Sequence, residues 1–169
     1  LIGGPQCGII IGKKKYIDTI LANPLMRAMR VDKMTLAALS ATLLIYRDEN
    51  QARTEIPILR MLSMPEENLK LRAEKVVKQI NGLLGLERCE AVEADSMLGG
   101  GSLPTQKLST WCVALTPKNQ SVDKFAAGLR NSEPCVIGRV QKDRLVLDMR
   151  TVQPSQDSGL IESIEAYFN

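Results

Sequence analysis

The segment 66–84 is the longest stretch of this chain with regular helical spacing. Apolar residues recur there every three or four positions and charged residues occupy the positions between them. The apolar set is Leu69, Ala73, Val76, Val77, Ile80, Leu83 and Leu84. A helix with one apolar face has to bury that face in a core. We therefore predict an amphipathic helix over 66–84, which ends at Gly85.

The residues after this helix alternate between short apolar runs and helical patterns. Strands are predicted at 87–94, 108–115, 135–140 and 145–149, with helices at 122–130 and 157–168. The last two strands are joined by a connection of hairpin length, Gln141-Lys142-Asp143-Arg144. A helix, strands, helix, hairpin and helix in this order predict a small α+β domain with a mainly antiparallel sheet over residues 65–169.

The first 64 residues carry a different pattern. Gly3, Gly4 and Pro5 indicate a turn, because glycine adopts backbone conformations that are closed to other residues. The run Ile9-Ile10-Ile11, bounded by glycines, is typical of a strand buried on both faces. Short helices are predicted at 16–21 and 25–30, a longer one at 33–46 capped by Asp32, and another at 49–64 interrupted at Pro57.

The predicted helix 33–46 is apolar on nearly every side. A helix of this composition is expected to be buried, so we predict that it forms a subunit or domain contact.

Composition excludes several kinds of chemistry. The sequence has no histidine, which excludes Ser-His-Asp and Cys-His catalysis and the usual zinc sites with histidine ligands. No apolar stretch approaches the roughly 20 residues that cross a bilayer. The four cysteines form no C-x-x-C pair. Cys112 and Cys135 lie in apolar runs and are predicted to be small buried residues in a reducing compartment, with a disulfide as the alternative.

Two arginines are the most distinctive candidates for binding. Arg27 and Arg30 are three positions apart, so on a helical turn both guanidinium groups would lie on one face. Such planar groups grip phosphate or carboxylate with two hydrogen bonds. The alternative is a solvated or intersubunit salt-bridge pair. The loop Gly99-Gly100-Gly101-Ser102 could bind an anion through its N–H groups or simply connect two strands. Arg139 and Arg150 are interpreted as scaffold or interface charges.

Four blocks of the chain resemble the bacterial selenocysteine synthase family, the L-seryl-tRNA(Sec) selenium transferases. They are the opening Leu-Ile-Gly-Gly-Pro-Gln with Gly-Lys-Lys after the isoleucines, the block 23–39, the loop 99–104, and the pair 136–139 with 145–152. Two departures are Asn23, where the family has histidine, and Cys7, where it has a smaller residue.

The resemblance implies the fold and the cofactor. It places residues 1–64 at the end of the large α/β/α domain of a fold-type I enzyme that depends on pyridoxal phosphate, and residues 65–169 in its small α+β domain. Gly3 and Gly4 would belong to the cofactor loop, and the Schiff-base lysine would immediately precede Leu1. The chain would then be a C-terminal fragment, inactive alone, of a cytoplasmic homo-oligomer built from dimers.

The resemblance also implies a reaction. The full-length enzyme would convert L-seryl-tRNA(Sec) to L-selenocysteyl-tRNA(Sec), with pyridoxal phosphate as electron sink and selenophosphate as selenium donor. Arg27 and Arg30 would hold the donor anion. The tRNA-binding domain and most of the cofactor pocket would lie outside this chain. Two alternatives remain: a related lyase that depends on pyridoxal phosphate and acts on a small phosphorylated amino acid, and a non-catalytic assembly module.

Overall fold

The computed structural model describes residues 2–97 and 107–168, and the chain divides into two compact units. The first unit is Leu1–Ser63 and the second is Met64–Asn169. The expected boundary after residue 64 lies one residue from this division. The assignment of the first unit to a large cofactor domain stays a prediction.

The first unit is helical throughout its regular structure. Its helices are α1 (Lys14–Leu21), α2 (Leu25–Ala28), α3 (Lys33–Ile45), α4 (Glu49–Glu55) and α5 (Pro57–Ser63). Asp32 caps α3 as predicted, since its carboxylate accepts hydrogen bonds from the N–H groups of Met34 (2.7 Å) and Thr35 (2.9 Å). The Thr35 hydroxyl also donates to Asp32, and these bonds lower the pKa of that carboxyl. No residue of α3 is buried within this unit.

The predicted strand at Ile9-Ile10-Ile11 is absent, and this prediction was wrong. These residues have no regular secondary structure, and the side chain of Ile11 is 90% exposed. A strand needs the N–H and C=O groups of a neighbouring strand. Among the described residues, strands occur only in the second unit, so the first unit offers this run no partner.

The second unit is a four-stranded antiparallel sheet with helices. Its elements are α6 (Glu66–Ile80), β1 (Leu86–Met97), β2 (Lys107–Pro117), α7 (Val122–Arg130), β3 (Arg139–Gln141), β4 (Arg144–Asp148) and α8 (Asp157–Phe168). The strand order is β1-β2-β4-β3. Helices combined with an antiparallel sheet confirm the α/β class, and the hairpin between the last two strands is also confirmed.

One hydrophobic core holds the second unit together. The apolar face of α6 contributes Leu69, Ala73, Val76 and Ile80, all at most 1% exposed. They pack in the same cluster as Val113 and Leu115 of β2, Leu145 and Leu147 of β4, Phe125 and Leu129 of α7, and Leu160 and Ile164 of α8. The helical period seen in the sequence thus marks the face of α6 that is buried.

Two boundaries differ from the prediction. Helix α6 ends at Ile80, and the chain turns at Gly82, whose φ of +105° is accessible to glycine, so Leu84 is 95% exposed instead of continuing the helix. The strand predicted at 135–140 shrinks to Arg139–Gln141. The N–H of Val136 donates to Leu129 O (2.9 Å) at the end of α7, so the preceding segment bonds to a helix rather than to a strand.

Candidate functional site

The turn at Gly3 and Gly4 packs closely against two helices of the first unit. Gly3 has a φ of +82°, and a Cβ added there would lie 2.6 Å from Cγ2 of Ile56, which follows α4. A Cβ added at Gly4 would lie 2.9 Å from Oγ1 of Thr42 on α3. Both approaches are shorter than real Cβ contacts. A side chain at either position would therefore force its neighbour to shift, and at Gly3 the backbone conformation also favours glycine.

The chain just before this turn is held by a hydrogen bond. The hydroxyl of Tyr46, the C-cap residue that follows α3, donates to Ile2 O at 2.8 Å. Ala52 and Ile56 are the only buried residues in the described part of the first unit, and Ile56 is 2% exposed. The turn thus lies on the best-packed part of this unit.

Arg27 and Arg30 are both exposed, but they do not share a helix. Arg27 lies in the last turn of the four-residue helix α2, whereas Arg30 follows its C-terminal residue Met29. The expectation that one helical turn carries both was wrong, because α2 ends before the second arginine. Within residues 2–97 and 107–168, neither guanidinium has a hydrogen bond or an ion pair. Their proposed role in binding the substrate stays a prediction.

The lysine run 13–15 lies at the start of α1 instead of at a strand end. All three side chains are in exposed residues, and Lys14 forms an ion pair with Asp18 at 2.7 Å. A reactive lysine amine is typically desolvated by an apolar pocket or placed beside another cation. No burial of that kind surrounds these three.

Asp148 is the centre of a polar cluster in the second unit that sequence reasoning missed. Its carboxylate accepts hydrogen bonds from the hydroxyls of Ser96 and Thr110 and from the backbone N–H of Arg150 (3.1 Å). Arg139 lies 3.8 Å from the same carboxylate. The available signal was a set of short polar residues, Ser96, Thr110 and Asp148, within three predicted or neighbouring strands.

Arg150 is a scaffold residue, as one interpretation of the sequence held. It is 5% exposed, and its guanidinium donates to Met64 O (3.1 Å) and Ser109 O (2.6 Å). Arg139 is half-exposed, and its guanidinium lies near the carboxylate of Asp148. Its interpretation as a scaffold or interface charge stays a prediction. The loop Gly99-Gly100-Gly101-Ser102 lies outside the described residues.

All four cysteines are free thiols. Cys112 is buried as predicted, and burial, followed by the nearby Asp148, raises its pKa to about 11. Cys135 is exposed, which corrects the prediction that it is buried. The reason is the late start of β3 at Arg139, which leaves residue 135 in the connection before the strand.

A groove of about 420 Å³ lies beside α8 in the second unit. Its walls include Pro134, Cys135, Ile137, Val152 and Gly159. Within the described part of the chain, no cluster of three or more cysteine, aspartate or glutamate side chains could hold a metal ion. The helices of that part include none long and apolar enough to cross a membrane.

Comparison with known proteins identifies relatives along nearly the whole chain. The sequence model of the SelA family, L-seryl-tRNA selenium transferase, matches residues 1–153. The chain is 46% identical over 166 residues to the L-seryl-tRNA(Sec) selenium transferase of Maridesulfovibrio salexigens, covering 97% of this chain and 36% of that protein. It is 40% identical over 165 residues to that of Geobacter sulfurreducens and 41% identical over 165 residues to that of Moorella thermoacetica. These matches cover 97% of the chain and 36% and 35% of the two relatives, so the chain spans about a third of their length.

Proposed function

The chain belongs to the L-seryl-tRNA selenium transferase family, and we propose that it forms the C-terminal part of an enzyme that converts L-seryl-tRNA(Sec) to L-selenocysteyl-tRNA(Sec). The observation that carries this proposal is 46% identity over 97% of the chain to a protein with that name. Selenophosphate is the proposed selenium donor. We also propose a cytoplasmic location, because the proposed substrate is an aminoacylated tRNA.

We propose the fold-type I architecture and pyridoxal phosphate for the full-length protein. The close packing of Gly3 and Gly4 on Ile56 and Thr42 supports this, because a tightly held turn suits the chain beside a reactive lysine. That lysine is proposed to precede Leu1 immediately. When bound, pyridoxal phosphate would supply an electron sink for the loss of the Cα proton and the side-chain hydroxyl of serine.

Arg27 and Arg30 are the proposed binding residues for selenophosphate. Both side chains are exposed, and within the described residues neither is paired with a carboxylate, so their donors are available to an anion. A guanidinium holds a phosphate-like group with two parallel hydrogen bonds and a full positive charge. Charge held in this way also stabilises negative charge that develops on the donor during transfer.

The exposed apolar residues of the first unit support assembly into a homo-oligomer built from dimers. On α3, Met34 is 80% exposed and Leu44 is 58% exposed. Leu36 and Leu43 of the same helix are exposed as well, and several exposed apolar residues on one helix favour an interaction site there. In the full-length protein it would contact either the rest of the large domain or a second subunit.

The test is a kinetic comparison of arginine variants of the full-length protein. Arg27→Ala or Arg30→Ala should raise the KM for selenophosphate by about 10- to 100-fold, since a hydrogen bond to a charged group contributes about 1.5–3 kcal/mol. Binding of pyridoxal phosphate should not change. Arg47→Ala is the matched control, because Arg47 is exposed in the same unit and lacks a side-chain partner among the described residues.

Three outcomes would contradict parts of this proposal. An unchanged KM in both variants would reject the donor-binding role. Turnover of a small phosphorylated amino acid, with none of seryl-tRNA(Sec), would favour the alternative lyase. Absence of any turnover that depends on pyridoxal phosphate would favour the assembly module.

A further inference from the structure

Tyr46 connects the end of α3 to the start of the chain. Its hydroxyl donates a hydrogen bond to Ile2 O at 2.8 Å across 44 positions of sequence. Tyr46 is 37% exposed and is not part of the hydrophobic core cluster of buried residues. Among the described residues, the one hydrogen bond of its side chain is with the backbone in front of the glycine turn.

The helix that precedes Tyr46 is well suited to fix that backbone. Thr42 lies one helical turn before Tyr46, whose backbone is still helical, so both face the same side at the end of α3. The Thr42 hydroxyl donates to Ala38 O at 2.9 Å, which fixes its side chain against Gly4. The buried side chain of Ile56 packs against the neighbouring residue of the turn, Gly3. Residues 2–4 are thus held by three successive contacts.

The held segment lies next to the proposed reactive group. A lysine immediately before Leu1 is two residues from Ile2, so the two Cα atoms can be at most about 7.6 Å apart. A rotation of the Ile2 peptide would displace that lysine directly. Displacing a reacting group by about 1 Å can cost about 100-fold in rate.

We propose that Tyr46 is a positioning residue, whose hydroxyl holds the Ile2 carbonyl and thereby the backbone that carries the Schiff-base lysine. This inference rests on the proposed function, which supplies the lysine. It concerns orientation alone: Tyr46 acts through the backbone of Ile2 and does not touch a substrate. Its removal should therefore lower kcat and leave the KM for selenophosphate unchanged, in contrast to removal of Arg27.

The experiment uses Tyr46→Phe in the full-length protein, since this change deletes one oxygen and keeps the ring. Tyr16→Phe is the matched control: Tyr16 is 61% exposed on α1, and its hydroxyl makes no hydrogen bond within the described residues. The first readout is the carbonyl ¹³C chemical shift of Ile2 without cofactor, because this carbonyl accepts the bond that the change removes. Loss of the hydrogen bond should shift this resonance upfield in Tyr46→Phe, and Tyr16→Phe should leave it in place.

The second readout is the rate at which pyridoxal phosphate, fixed with borohydride, labels the lysine before Leu1. We expect labelling to be about tenfold slower in Tyr46→Phe and unchanged in Tyr16→Phe, with a similar fall in kcat. A carbonyl shift or a labelling rate equal to wild type in Tyr46→Phe would overturn the inference. If wild type is labelled but does not turn over seryl-tRNA(Sec), the proposed function fails, and the ratio of labelling rates still decides the role of Tyr46. If wild type is not labelled at all, both fail.

Discussion

Arg72 and Asp157 form a bidentate ion pair that joins α6 to α8. Nε and Nη2 of Arg72 donate to the two carboxylate oxygens of Asp157 at 2.9 and 2.6 Å. The side chains are only 14% and 19% exposed. The same guanidinium donates to Met149 O and Val152 O, each at 2.9 Å. It therefore links two helices and the segment that leaves β4.

Asp157→Ala should lower the free energy of unfolding of the second unit by about 3 kcal/mol, because it leaves the mostly buried Arg72 charge without its carboxylate. Asp95→Asn is the control, since Asp95 pairs with Lys107 at 3.1 Å in an exposed pair that should contribute less than about 1 kcal/mol. Urea unfolding of both variants measures the difference. Equal losses would show that burial of the Arg72 pair has no energetic consequence.

Gly4→Ala should destabilise the first unit, since its Cβ would lie 2.9 Å from the Thr42 hydroxyl oxygen. Adding Thr42→Ala should recover part of the loss, because it removes both the hydroxyl and the methyl group in contact. A double-mutant cycle on thermal unfolding of the full-length protein gives the coupling, expected at about 0.5–3 kcal/mol. If the losses of unfolding free energy from the two single changes simply add in the double variant, then the turn does not pack against Thr42 of α3.

The cysteines should differ strongly in the rate at which iodoacetamide alkylates them at pH 8. Cys112 and Cys89, whose pKa values burial raises to about 11, should label slowly in the folded protein, while the exposed Cys135 labels quickly. Mass spectrometry of digested samples measures each site. Fast labelling of Cys112 before unfolding would contradict the observed packing of β2.

The raised pKa of Cys112 also predicts a loss of stability in alkali. An unfolded thiol releases its proton near pH 9.0, whereas the folded Cys112 keeps it until about pH 11. The folded state then binds more protons than the unfolded state, so stability falls as the pH rises through this range. Cys112→Ala should reduce that dependence between these two pH values in urea titrations. An identical pH profile in the variant would reject this contribution.

This chain alone should not bind pyridoxal phosphate at one defined lysine. Lys13, Lys14 and Lys15 are exposed at the start of α1, without the burial that activates an amine. Treatment with pyridoxal phosphate and borohydride should give scattered substoichiometric adducts by peptide mapping. The full-length protein is the positive control. Stoichiometric labelling of a single lysine in this chain would show that the reactive residue lies within it.

Much of the second unit could be predicted from local sequence signals. Helices α7 and α8 match their predicted ranges, since Ser121 caps the first and apolar spacing marks both. The hairpin was predicted from its length, and its turn residues Lys142 and Asp143 take φ values of 51° and 55°, as a tight two-residue turn requires. Capping, helical spacing and turn length involve neighbouring residues, so they can be read without knowing the fold.

In the candidate site, the sequence by itself identified Gly3 and Gly4 as a turn and Arg27 and Arg30 as candidates for binding an anion. Only the tertiary structure decided what surrounds them: Thr42 and Ile56 under the turn, Tyr46 bonded to Ile2, and a helix that ends between the two arginines. It also decided that Ile11 is exposed and that Asp148 accepts hydrogen bonds from hydroxyls on two other strands. These relations join residues tens of positions apart. Local periodicity shows that an apolar or polar group needs a partner, but only the folded chain determines which one it meets.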